Sequence, residues 1–217
     1  MLVIGCGALA NELVTLTRRS GFDGIDVTCL PASLHMQPSG IPDAVARRIR
    51  ERGAGYETVF VAYADCGTSG RLDAALAGTG IERIPGAHCY EFYAGAAEYG
   101  RLMDEELGSF FLTDFLARNF ERLVIGGLGL DARPDLYPEY FGSYRRVVFL
   151  SQTADPATLA AARAAADRLG LEFVHRPTGF GGLGAAVESL ADGRPRPARA
   201  ETAVLRGSDA TELGAVA

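Results

Sequence analysis

The sequence predicts an α/β protein: a mostly parallel open sheet with helices on both faces, Rossmann-like, in two similar lobes. Two observations predict it. Short apolar runs such as Leu2-Val-Ile4, Val59-Phe-Val-Ala62 and Arg146-Val-Val-Phe-Leu150 alternate with stretches of helical period. Strands that alternate with helices over short connections imply parallel pairing. A third observation concerns chemistry. Cys6, Cys29 and Cys66 fall where strand-like runs end, and Cys89 follows Ile84-Pro-Gly-Ala-His88. In an open α/β sheet the carboxyl ends of the strands are where ligands bind.

In chain order, residues 1–6 read as a strand, and Gly7 opens a helix to about Ser20 on Leu9, Leu13, Val14 and Leu16. Residues 25–30 form a second strand. Residues 31–38 are a loop too rich in proline for regular structure. Ile41 to Arg52 is a helix with Pro42 in its first turn. Thr58–Tyr63 is a strand, 69–78 a helix and Ile81–Ile84 a short strand. Tyr90–Leu107 reads as one long helix and 110–119 as another. Leu123–Ile125 then reads as a strand before the turn Gly126-Gly-Leu-Gly129, and Pro134–Phe141 as a short helix. Arg146–Leu150 is a strand. Asp155-Pro156 caps an alanine-rich helix to about Gly170, Leu171–His175 is the last strand and Gly181–Leu190 the last helix. This gives an N-terminal lobe 1–107 carrying the cysteines, a C-terminal lobe 108–191, and a disordered tail over 192–217, which has prolines and no apolar period.

A chain of 217 residues, 48% hydrophobic and 22% charged, is an ordinary globular composition. The net charge of −6 argues against nucleic acid, because no basic surplus is present to neutralise phosphates. No apolar run approaches the roughly 20 residues that span a bilayer. Met1 runs directly into a strand, so we expect no secretion signal and a cytoplasmic protein. Thiols there stay reduced, so disulfides are not expected. Every basic residue other than histidine is arginine, which excludes a lysine Schiff base and a Walker A lysine.

A single cysteine is by default a small buried hydrophobe. The set departs from that, because Cys6, Cys66 and Cys89 neighbour glycine or histidine in loops; Cys29 ends a β-like run and fits core. No Cys-x-x-Cys pair exists, so a metal site must be assembled from separate loops. Thiolate with imidazole selects zinc or iron, and His35 and His88 are the imidazoles at hand. A thiolate nucleophile without metal is the alternative. Glu91 lies two residues after Cys89, as a first-turn carboxylate or as a general base. Asp114 lies in an apolar stretch, where an unpaired carboxylate is costly; it is capping, paired or functional. Glu12 reads as a solvated helix carboxylate. Gly5-Cys-Gly7-Ala-Leu-Ala10 matches a dinucleotide turn, with Gly5 and Gly7, and Gly67 further on, as candidate cofactor-binding positions. The acid expected after the second strand is replaced by Cys29-Leu-Pro31. Gly179-Phe-Gly-Gly-Leu-Gly184 with Arg176 is a turn before the last helix that could also face an anion.

Taken together, Cys6-Gly-Ala-Leu9, Leu30-Pro-Ala-Ser-Leu-His35, Asp65-Cys-Gly-Thr68, His88-Cys-Tyr-Glu-Phe92, Phe111-Leu-Thr-Asp-Phe115, Gly127-Leu-Gly-Leu-Asp131 and Tyr140-Phe-x-x-Tyr144 resemble the DUF1638 family over roughly residues 1–190. The resemblance implies a cysteine-rich, metal-binding cytosolic protein. It also implies the company of corrinoid-dependent methyltransferases and their reactivating proteins.

Three functions follow as expectations. In the first, Cys6, Cys66 and Cys89, with His35 as fourth ligand, hold zinc or an iron–sulfur cluster. The centre acts on a small substrate, such as a thiol or methylated amine in methyl transfer, with Glu91 or Asp114 handling protons. In the second, the protein is a non-catalytic metal-binding accessory that docks a corrinoid protein or methyltransferase. In the third, it binds a nucleotide through the first glycine turn.

Overall fold

A computed structural model describes residues 1–19 and 24–191; the tail expected over 192–217 lies outside the described residues. The first sheet holds β1 (Leu2–Cys6), β2 (Asp26–Leu30), β3 (Val59–Ala62) and β4 (Glu82–Arg83) in the order β2-β1-β3-β4. All pairs are parallel, with Gly5 opposite both Cys29 and Ala62. Helices α1 (Ala10–Arg19), α2 (Ile41–Arg52) and α3 (Arg71–Leu76) make the connections. The stretch expected to be irregular forms two 3-10 turns, Ala32–Met36 and Pro38–Gly40. The long helix expected over 90–107 is two, α4 (Cys89–Ala94) and α5 (Ala96–Glu105), broken at Gly95, whose φ of 83° no right-handed helix contains.

The second sheet is β5 (Ser109–Thr113), β6 (Arg146–Ser151) and β7 (Glu172–Pro177), parallel in that order. Two expectations are corrected here. Residues 109–113 are a strand, not the start of a helix; only α6 (Asp114–Arg118) is helical. Residues 121–125 are a π turn, not a strand, closed by the Gly126 amide on the Glu121 carbonyl at 2.8 Å. Helices α7 (Tyr137–Phe141), α8 (Pro156–Leu169) and α9 (Gly181–Ala191) complete the fold.

Alternation along the second sheet divides it between two cores. Phe111, Val148 and Leu150 pack into one cluster with Ile4, Phe60, Val61 and the α9 residues Leu183 and Val187. Leu112, Val147 and Phe149 face a second cluster with Leu116, Ala162 and Ala166. The seam between the sheets lies beside the carboxyl ends of β1 and β3.

Candidate functional site

Four loops meet at that seam. The first is the turn after β1. Cys6 caps a 3-10 turn, Gly7–Leu9, that runs on into α1. A Cβ on Gly7 would stand 2.7 Å from the Leu30 carbonyl oxygen, so only glycine lets the turn pass the end of β2. A Cβ on Gly5 would overlap the Leu13 side chain. Both glycines of the candidate dinucleotide turn therefore serve close packing of the chain on itself.

The second loop follows β3. Asp65 accepts hydrogen bonds from the Thr68 hydroxyl at 2.7 Å and the amides of Gly70 at 2.8 Å and Ser69 at 3.0 Å. Burial opposes ionisation of Asp65, but these donors, with Arg83, hold its carboxyl below its ordinary value. The turn they fix has Cys66 at φ 50°, Gly67 at 80°, Ser69 at 55° and Gly70 at 79°. Left-handed backbone is costly for a non-glycine residue and is kept where surroundings over-determine it. Gly67 serves this turn, against the Pro38 ring.

The third loop precedes α4 and is stitched to the second. The amides of Asp65 and Cys66 donate to the carbonyls of Gly86 and Ala87 at 3.0 and 2.8 Å. Arg83 grips Asp73 with two hydrogen bonds of 2.8 Å and donates to the Ile84 carbonyl at 2.7 Å. Glu91 reaches back from the first turn of α4 to accept from the Ala87 amide at 2.7 Å. The carboxylate expected to carry protons is thus engaged in holding the loop that presents Cys89. The fourth loop is the 3-10 turn Ala32–Met36, which carries His35.

Cys6, Cys66, Cys89 and His35 line one cavity with Leu9 and Phe92. It encloses about 20 Å³ of free space, which is room for a single water or ion. Burial pushes every thiol up. Cys66 reaches about 12, raised further by Cys6, and Cys89 lies well above its ordinary value, raised further by Cys66 and Cys6. Cys6 is raised as well. Backbone amides oppose this: Ala8 faces the Cys6 sulfur, Ala64 and Cys89 face Cys66, and Tyr90 faces Cys89. Burial, then the charge of His88, push His35 below its ordinary value, so it is neutral at pH 7. The Tyr63 hydroxyl is buried with no hydrogen-bond partner among the described residues, and burial pushes it well above its ordinary value. Among the described residues, no three His, Cys, Asp or Glu side chains are already gathered around a point that could hold a metal ion. The loops converge; the side chains are not closed on a common centre.

Cys29 and His88 lie outside this lining. Cys29 packs over Gly5, half-buried, and burial then the Cys6 charge push it to about 11. His88 is exposed. Asp114 is fully buried beside the cavity wall formed by Thr113 and Leu116. Its carboxylate accepts from the Gln152 amide at 3.0 Å, the Thr153 amide at 3.0 Å and the Thr153 hydroxyl at 2.5 Å. That set of donors makes Asp114 a clamp on the turn after β6. Glu12, expected to be solvated, is 4% exposed, and its Oε2 has no partner among the described residues. The signal was present: Leu9, Glu12, Leu13 and Leu16 share one helical face. His175, read only as a strand end, bonds Ser151 beside a second cavity.

A family model described as "Protein of unknown function (DUF1638)" matches residues 29–187, which include His35, Cys66 and Cys89 but not Cys6. No curated protein and no solved structure matches the chain at a significant level. No helix of the described residues is long and apolar enough to cross a membrane.

Proposed function

The chain belongs to the DUF1638 family, and we propose that it binds a single thiophilic metal ion, zinc or iron, through Cys6, Cys66, Cys89 and His35. One observation carries this: four donors from four separate segments of the chain line a cavity the size of one ion. The donor set suits the chemistry, since three thiolates and a neutral imidazole form a complete tetrahedral set for zinc. The amides facing the sulfurs compensate thiolate charge, and a bound cation reverses the penalty that keeps the thiols protonated. An ion there would draw the four side chains together on a backbone that hydrogen bonds already hold in place. Cys66 in its left-handed turn and Cys89 at the start of α4 supply the two positions fixed most firmly.

Four protein ligands make a closed site, whereas catalytic sites keep a position open. About 20 Å³ of free space matches one ion rather than an ion with a thiol or methylated amine beside it. We therefore favour the metal-binding accessory over the methyl-transferring enzyme. A corrinoid protein or methyltransferase as its partner rests on the family resemblance. When bound, the ion supplies a structural cross-link between the loops at the seam. Glu91 and Asp114 hold the loops around it.

The test is metal content by plasma mass spectrometry on protein purified without oxygen, with an absorption spectrum. About one ion per chain and a colourless sample is the zinc result. Cys66→Gly, which keeps the turn and relieves its strain, loses the ion while the fold persists; Cys29→Ser retains it. Brown protein with iron and labile sulfide replaces the single ion by a cluster. No metal, with all thiols freely titratable in folded protein, overturns the proposal.

A further inference from the structure

The second cavity lies at the carboxyl edge of the other sheet, away from the thiols. Its volume is about 400 Å³, within the range of small-molecule sites. Phe149, Pro156 and Leu159 give it apolar walls, and Ser151 and His175 bring polar atoms to it. Ser151 ends β6, and His175 stands on β7 opposite Phe149. The Ser151 hydroxyl lies 2.9 Å from His175 Nε2. The imidazole is stacked on the Phe149 ring, centroids 5.4 Å apart and planes 17° apart, with Phe173 on the same strand at 6.4 Å. The Ser151 carbonyl accepts from the amides of Thr178 and Gly179 at 2.9 and 3.1 Å, which pins the end of the strand. Asp114, through Gln152 and Thr153, pins the turn that follows.

We propose that Ser151 and His175 form a nucleophile and general base that act on a small uncharged ester in this cavity. A hydroxyl within hydrogen-bond reach of an oriented imidazole is the arrangement that activates serine. Burial, then the charge of Arg163, hold His175 below its ordinary value, so at pH 7 the ring is neutral and able to accept a proton.

In the step, the Ser151 oxygen forms a bond to the ester carbonyl carbon while His175 Nε2 takes the serine proton. The carbon–alkoxide bond breaks, and the departing alkoxide takes that proton as an alcohol. Water then repeats the sequence on the acyl-serine, releasing the carboxylic acid and restoring both residues. The N-terminus of the 14-residue α8 borders the cavity through Asp155 and Pro156. Asp155 already takes the amides of Ala157 and Thr158 at 3.3 and 3.0 Å. The cap takes up the positive end of the helix, so no free donor there meets the developing oxyanion and turnover is slow. The Asp155 carboxylate also disfavours anionic substrates.

Phenylmethanesulfonyl fluoride tests this on the full chain, because its ring suits the apolar walls and its sulfur reports an activated serine. The Ser151 oxygen displaces fluoride, and peptide mass mapping locates the adduct. We expect labelling on Ser151 in preference to the exposed Ser69 and Ser143, and a loss of roughly 100-fold in His175→Asn. Hydrolysis of p-nitrophenyl acetate should fall with both His175→Asn and Ser151→Ala. Folded protein, by circular dichroism, that leaves Ser151 unlabelled overturns the proposal. So does labelling at the same rate in folded His175→Asn.

Discussion

Glu12 and Asp114 are both buried acids, and their environments separate them. Asp114 is fully buried with three donors on its carboxylate. Glu12 is 4% exposed, and its Oε2 has none among the described residues. Burial raises Glu12 above its ordinary value of 4.5, and Asp114 adds to this while Arg118 opposes it. A carboxyl raised in the folded state binds its proton more tightly there than in the unfolded chain. Its contribution is full below pH 4.5 and is lost as pH rises through the folded value. Glu12→Gln cannot ionise, so its melting temperature relative to the parent should be more favourable at pH 8 than at pH 4.5. The difference at pH 8 should be on the order of 1 kcal/mol, the cost of ionising a carboxyl held partly out of water. Equal shifts at the two pH values in thermal melts would rule this out. Glycine and histidine beside Cys6, Cys66 and Cys89 marked element ends rather than loop interiors: Cys6 closes β1, Cys66 stands in the turn after β3 and Cys89 opens α4. The cost of ionising Glu12 was hidden, because polarity outweighed its position on the apolar face of α1.

Among the elements, β1, β2, β3, β6 and β7 could be found from apolar runs that end at turn residues. The failures lie where a short apolar run has no period of its own. Phe110-Phe-Leu112 becomes strand because β6 offers parallel partners, Phe111 opposite Val148 and Leu112 opposite Phe149. Leu123-Val-Ile125 has the same character and is buried, yet among the described residues it pairs with no strand. Its backbone bonds close locally, with the Leu130 amide on the Ile125 carbonyl at 3.0 Å. The glycines that follow decide this. A Cβ on Gly127 would stand 2.1 Å from the Leu123 carbonyl oxygen, a contact no side chain tolerates. Gly127→Ala must therefore open the π turn, and with it the packing of Leu123 and Ile125 on the second core. We expect a loss of about 1–3 kcal/mol in urea unfolding, the usual cost of forcing a side chain into a space that has none. A loss under about 0.5 kcal/mol, ordinary for a surface change, would mean that the turn does not need its glycine.

On the scale of the whole molecule, the sequence suggested lobes at 1–107 and 108–191, and the sheets do fall on either side of that boundary. The cores do not divide there. Leu183, Ala186 and Val187 of α9 bury against the first sheet's cluster, together with Phe111, Val148 and Leu150. Gly181 meets α4 closely enough that a Cβ would stand 2.3 Å from the Tyr93 carbonyl oxygen. Strand order and long-range helix docking leave no local periodicity, so the sequence could not reveal this return of the chain. The consequence concerns folding and the thiol site together, because α4 begins with Cys89 and packs on α9. A fragment of residues 1–107 exposes the surface that six buried side chains cover in the full chain: Phe111, Val148, Leu150, Leu183, Ala186 and Val187. Burial of one such large side chain is worth about 1.5–3 kcal/mol, and a whole domain is stable by only about 5–15 kcal/mol. The loss is therefore comparable to the total. The fragment should lack a cooperative thermal transition by circular dichroism and should expose all its thiols to Ellman's reagent, while the full chain unfolds in one step. A fragment that melts cooperatively with protected thiols would make the first lobe an independent domain.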